Sequence, residues 1–488
     1  MNPWIIISLI GFLVASLYRR EWGIYLIVLG LPSYQIRFQV FGVPATFLEG
    51  MILLLAAVEV IALIRNPRIL SILSPLPACQ SPEGSRPMAG RPNPLPQGEG
   101  IKTRDSSPLV GGASSERRRG EEVRWGVAQY IFIILFLLAA VISVFIAPDT
   151  LKAAGIFKAY FFEPILFYFL LRLTIDSQEK LKKLFQSMTV LVLYLSAFGV
   201  YQYLTLQNLP PSWWDVSFAE RRIVSLLNHP NGLALLLGPV LTMLIMLPKN
   251  KLRWTALGFG LVAFYLTFSR AGWLALAATL VGVAFLIPSP GEGRVAEGQE
   301  RSRTPKLLLS LLVIITLVFA IPVSRAKLLN LTHADPSKEN RYVLWTAAVD
   351  ILKHHPITGV GLTGFREAYK NYPLGPDRVI QNYPHNFFLT FWVETGLLGL
   401  LSIIGLLILF YKKIYKTVTS PSPPHEEGQK QISPPREGEI KRGLALAAGA
   451  GMAMIVLHSL VDVSYFKNDL SILFWLVYVL PFLDFQFD

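Results

Sequence analysis

Three arginines and one histidine stand beside apolar runs, where a charged side chain costs about 2.5 kcal/mol or more if it enters the membrane. Arg222 follows Arg221 and precedes His229, Pro230 and Asn231, which open an apolar run. Proline in the first helical turn and asparagine as a cap would put Arg222 at the mouth of a helix, with Asn231 capping it. Arg270 lies between Ser269 and Ala271, in a turn so short that its guanidinium must stand at the surface between two apolar helices. Arg341 heads a stretch with Val343, Leu344, Ala347, Ile351 and Leu352 at helical spacing, which predicts an amphipathic helix on the bilayer or over the core. A guanidinium stays charged at every accessible pH, and its planar fork matches two phosphate oxygens, so a diphosphate at the membrane face suits these residues. The bland readings are a snorkelling Arg222 and a topology-setting Arg270; cations favour the opposite side of the membrane, which weighs against the second.

His385 sits between Pro384 and Asn386, with Tyr383 before it and an apolar run containing Glu394 after it. An imidazole there can take the proton of an acceptor hydroxyl near neutral pH, or be an ordinary hydrogen-bonded interfacial side chain. Gly359, Gly361 and Gly364 spell GxGxxG, but a dinucleotide site needs a strand before it and a helix after it within a βαβ unit. Here the motif follows a helical pattern and Pro356, so the glycines are expected to form a tight turn approached by a substrate or another backbone. No HExxH or Asp-x-Asp is present, and the single cysteine, Cys79, makes no intramolecular disulfide, so no metal site and no cofactor is expected.

The elements that position these residues are membrane helices. The chain has 488 residues, 52% hydrophobic and 16% charged, with a mean hydropathy of +0.46, which excludes an ordinary soluble protein. About thirteen stretches approach the length needed to cross a bilayer. They cover 4–17, 23–34, 47–64, 127–147, 156–175, 185–204, 232–247, 254–268, 271–287, 307–323, 391–411, 443–463 and 470–482. The predicted fold is therefore an all-α, polytopic membrane helix bundle of about 12–13 transmembrane helices, with a large extracytoplasmic loop containing the amphipathic helix. Its parts are amino-terminal helices (1–64), a disordered cytoplasmic insert (65–126), central helices (127–323), an extracytoplasmic catalytic loop (324–390) and carboxy-terminal helices (391–488) with a second insert at 413–442. The inserts are rich in Pro, Gly, Ser and Glu and cannot bury enough apolar area to offset their chain entropy. The net charge of +13 reads as cytoplasmic anchoring rather than nucleic-acid affinity, because most cations fall in loops that one orientation places inside.

Arg222 through Asn231, the 269–272 turn, Arg341 to Gly361 with Trp345, and Tyr383 to Asn386 followed by Glu394 together resemble the O-antigen ligase and O-antigen polymerase family of bacterial envelope proteins, over about 222–399. The resemblance implies metal-independent glycosyl transfer from undecaprenyl diphosphate to a hydroxyl of a glycan, lipid or protein acceptor, at the extracytoplasmic side of the bacterial cytoplasmic membrane. It also implies that Arg222, Arg270 and Arg341 hold the diphosphate and that His385 activates the acceptor, with inversion at the anomeric carbon. Arg221, Tyr383, Asn386 and Glu394 are expected to bind substrate. Two alternatives are a flippase of lipid-linked oligosaccharide, which would show ionisable residues at helix midpoints, and a protein O-oligosaccharyltransferase.

Overall fold

The computed structural model describes residues 2–40, 43–66, 110–214, 221–248, 250–286, 336–372, 380–420 and 437–483. It is helical almost throughout: α1 (Pro3–Tyr18), α2 (Arg20–Leu29), α3 (Phe47–Arg65), α4 (Val110–Ile146), α5 (Thr150–Phe157), α6 (Glu163–Thr174), α7 (Gln178–Thr205), α8 (Pro230–Met246), α9 (Lys251–Leu266), α10 (Arg270–Leu286), α11 (Pro336–His354), α12 (Gly364–Lys370), α13 (Phe387–Thr419), α14 (Glu437–His458) and α15 (Asn468–Val479). A π-helical segment joins α5 to α6, and a hairpin of β1 (Arg37–Val40) and β2 (Val43–Thr46) precedes α3. Among the described residues, six helical stretches are long and apolar enough to span a membrane, and shorter apolar helices lie among them. The chain is a multi-pass membrane protein. The expected span at 307–323 lies outside the described residues. Helices α4 and α14 begin inside the stretches read from sequence as inserts, at Val110 and Glu437, and α13 runs on to Thr419.

Small residues let the helices approach closely, as lipid-embedded packing requires. On α8, Gly238 faces Met454 of α14, and Gly260 of α9 faces Val192 of α7. All twelve residues of α15 are buried. With the short 3-10 turn Leu480–Phe482 that follows it, this apolar helix packs inside the bundle rather than on its outer surface. Its Phe474 and Trp475 join Phe136, Phe391 and Tyr465 in an aromatic core with ring centroids 5.0–6.2 Å apart.

Helix α13 is not the simple span that its hydropathy predicts. Gly396 interrupts it with φ +69° and ψ −175°, a conformation open essentially only to glycine. Phe388 lines one groove with Ile404, Leu407 and Ile408. In a straight helix Phe388 and Ile404 would be about 24 Å apart, so the segment before Gly396 must lie alongside the segment after it. The 355–362 turn clamps the reversal: Val360 N–H donates to the Val393 carbonyl (2.8 Å) and Leu397 N–H to the Ile357 carbonyl (2.8 Å). Gly359 (φ +63°) and Gly361 (φ +79°) allow this, since a Cβ at either would stand 2.5 Å from the backbone of Val393 or Ala147. The GxGxxG run thus makes a turn approached by other backbone.

Candidate functional site

Helix α8 begins at Pro230, but its cap is His229, whose Nδ1 accepts from Asn231 N–H (3.1 Å), and not Asn231 as the sequence suggested. Asn231 is thereby free to use its side chain elsewhere. Its Oδ1 accepts from Arg222 Nη2 (2.7 Å) and its Nδ2 donates to Asp462 Oδ2 (2.9 Å). Arg222 also donates from Nε to the Thr267 carbonyl (2.8 Å) and lies 5.5 Å from the Trp213 ring centroid. That carbonyl belongs to the tight α9–α10 turn, so the Arg222 loop and the Arg270 turn are fastened together.

Arg270 is the first residue of α10. Its turn is shaped by Phe268, at φ +49°, and by Ser269, whose Oγ accepts from Gly272 N–H (3.3 Å) and lies 3.2 Å from His458 Nε2 at the end of α14. Arg341 reaches from α11 to the loop after α14, donating from Nε to the Val461 carbonyl (2.8 Å). Helix α11 folds over the protein: Leu344, Ala347, Ala348 and Leu352 are buried with Phe365, Tyr369 and Val393. The three guanidiniums feel one another. Burial, followed by the fields of Arg270 and Arg341, lowers the Arg222 guanidinium to about 10, against an opposing pull from Asp462.

His385 occupies the left-handed region (φ +55°), between buried Pro384 and Asn386, which caps α13 by accepting from Leu389 N–H (3.0 Å). Its Nδ1 is 3.2 Å from Asp462 Oδ1 and its Nε2 is 3.4 Å from Gln381 Oε1. Asp462 is buried, which alone would raise its pKa. The hydrogen bond to His385 and the His385 and His458 imidazoles outweigh that and hold the carboxyl well below the usual range. One carboxylate therefore orients the histidine and, through Asn231, one of the arginines. With Nδ1–H donating to the carboxylate, Nε2, beside Gln381, is the ring nitrogen left to exchange a proton with an acceptor. The Phe391–Phe136 ring pair sets the first turns of α13 beside the middle of α4, about 15 Å along that helix from its end at Ile146.

The other residues singled out in the sequence do different things. Arg221 donates to the Tyr203 carbonyl at the end of α7 (3.2 Å). Asn386, besides capping α13, donates to the Leu460 carbonyl (2.9 Å), and so holds the Asp462 loop against the His385 loop. The Tyr383 ring packs on Phe466 at 5.1 Å. Glu394 is fully buried two residues before the Gly396 reversal, where its carboxylate accepts from the amides of Thr363 and Phe365. This is a structural anchor for the α12 start, separate from the arginines. Sequence reasoning missed Asp462, His458 and Trp213. The available signal for Asp462 was an acid inside the apolar run that closes α14. Among the described residues, no group of three or more His, Cys, Asp or Glu side chains could hold a metal ion.

A family model described as O-antigen ligase matches residues 255–404, a stretch that contains Arg270, Arg341 and His385. No curated protein matches the chain. Arg222 and Asp462 lie outside the matched stretch, yet the hydrogen bonds through Asn231 join them to it.

Proposed function

We propose, from the O-antigen ligase family match over 255–404, that this membrane protein of ligase and polymerase type transfers a glycan from undecaprenyl diphosphate to an acceptor hydroxyl. The reaction takes place at the outer face of the cytoplasmic membrane. The observation that carries this reading is the chain of hydrogen bonds from His385 through Asp462 and Asn231 to Arg222, within the field of Arg270 and Arg341. His385 Nε2 takes the proton of the acceptor hydroxyl as its oxygen bonds to the anomeric carbon. The bond from that carbon to the diphosphate oxygen breaks, and its electron pair leaves with the lipid diphosphate. Guanidiniums fixed in place beforehand stabilise the charge that develops on that oxygen. Attack opposite the leaving group inverts the anomeric carbon. The protein's own cations and imidazole supply these roles without a metal. Arg222→Ala, Arg270→Ala or His385→Ala should each slow transfer at least about 100-fold while membrane protein levels stay normal; full activity in any of them removes that residue from the mechanism.

A further inference from the structure

A second polar cluster lies against the first turn of α8. Lys467, before α15, places its Nζ 3.7 Å from Asp469 Oδ2 and 4.9 Å from the Tyr34 ring centroid. The same Nζ is 3.0 Å from where a Cβ on Gly232 would stand, so the ammonium lies close against the first turn of α8. Around it, Oδ1 of Asn468 and the hydroxyl of Tyr34 are buried without a hydrogen-bond partner, and the fully buried Asp469 carboxylate has the ammonium at 3.7 Å as its counter-charge. Unsatisfied buried polar groups are few in folded proteins, and several in one place mark where a polar ligand or water completes them. The Tyr383–Phe466 ring pair connects this cluster to His385, since Tyr383 is two residues from the histidine and Phe466 adjoins Lys467.

Charge separates the two clusters. Three guanidiniums against the Asp462 carboxylate leave a surplus that matches the about two negative charges of a diphosphate diester. Here a single ammonium stands among buried acceptors, with Asp469 beside it, rather than in a group of cations, which suits hydroxyls. Resting on the functional reading above, we propose that Lys467, positioned by Asp469, binds the hydroxyls of the acceptor sugar and presents the acceptor to His385.

The test uses the full chain in lipid nanodiscs, with a synthetic polyprenyl-diphosphate-linked glycan and a sugar acceptor, each varied in turn. Lys467→Gln should raise the acceptor KM by about tenfold while the donor KM stays within about twofold. Lys467→Arg should recover part of the loss, and Asp469→Asn should raise the acceptor KM in the same direction. Unchanged donor binding in each variant shows that the fold is intact. A rise in donor KM with the acceptor KM unchanged would assign Lys467 to the diphosphate and overturn the proposal, as would wild-type kinetics in Lys467→Gln. Loss of donor binding in both Lys467 variants would make the lysine structural and also overturn it. No transfer by the unaltered protein would instead overturn the functional reading, and the acceptor site with it.

Discussion

Arg222 and Asp462 are tied through one asparagine, and this sets what single substitutions should do. Asp462→Asn leaves the shape but removes the acceptor that selects the His385 tautomer. Transfer should fall on the order of 10–100-fold, less than the ~10²–10⁴-fold expected for losing the base itself. The same carboxyl gives a pH signature. Its folded pKa is depressed, so its stabilisation is fully present above the unfolded value of about 3.9 and is lost as pH falls below it. Thermal unfolding in detergent should show that share declining under about pH 4 and absent in Asp462→Asn; an identical acid profile for both proteins would contradict the pairing. At this scale the three arginines were legible because a cation in an apolar turn is costly and therefore conspicuous. Asp462 was not, because one carboxylate with no fixed spacing to another polar residue has no motif. Asn231 looked like a cap, and only the geometry shows His229 in that position.

Among the elements, the reversal in α13 sets His385 beside Asp462, which Asn231 joins to Arg222. Hydropathy reports how apolar a run is and not whether it doubles back, so 391–411 read as one span although Gly396 breaks it. The glycines that permit the reversal were visible, but their partners in the 355–362 turn lie more than thirty residues away in sequence. Gly396→Ala would carry a positive φ and put a Cβ 2.5 Å from the Ile357 carbonyl oxygen. The cost should be on the order of 1–3 kcal/mol, read as a lower Tm together with weakened transfer, while Gly282→Ala, which meets nothing within 4 Å, should be nearly neutral. A wild-type Tm in Gly396→Ala would rule out the clamp. Glu394→Gln should likewise lower Tm by weakening its hold on the Thr363 and Phe365 amides, without changing the relative KM values of donor and acceptor.

For the whole molecule, the helical membrane class followed from composition alone, and the bundle bears it out. Orientation rests on the excess of Lys and Arg in the loops assigned to the cytoplasm. It predicts that, with Cys79 replaced by serine, Leu226→Cys is labelled in intact cells by a membrane-impermeant maleimide. Thr419→Cys at the other end of the bundle should react only after lysis. Leu226 is exposed on the Arg222 loop and Thr419 is exposed at the end of α13. The reverse pattern would put the site on the cytoplasmic side. Most directly, purified full-length protein can be mixed with a polyprenyl-diphosphate-linked glycan of known anomeric configuration and a hydroxyl acceptor, and the product's configuration and the released diphosphate measured. The account predicts an inverted glycoside formed one for one with polyprenyl diphosphate, at least about 100-fold slower with His385→Ala; a retained configuration, or an undiminished rate in that variant, would contradict it.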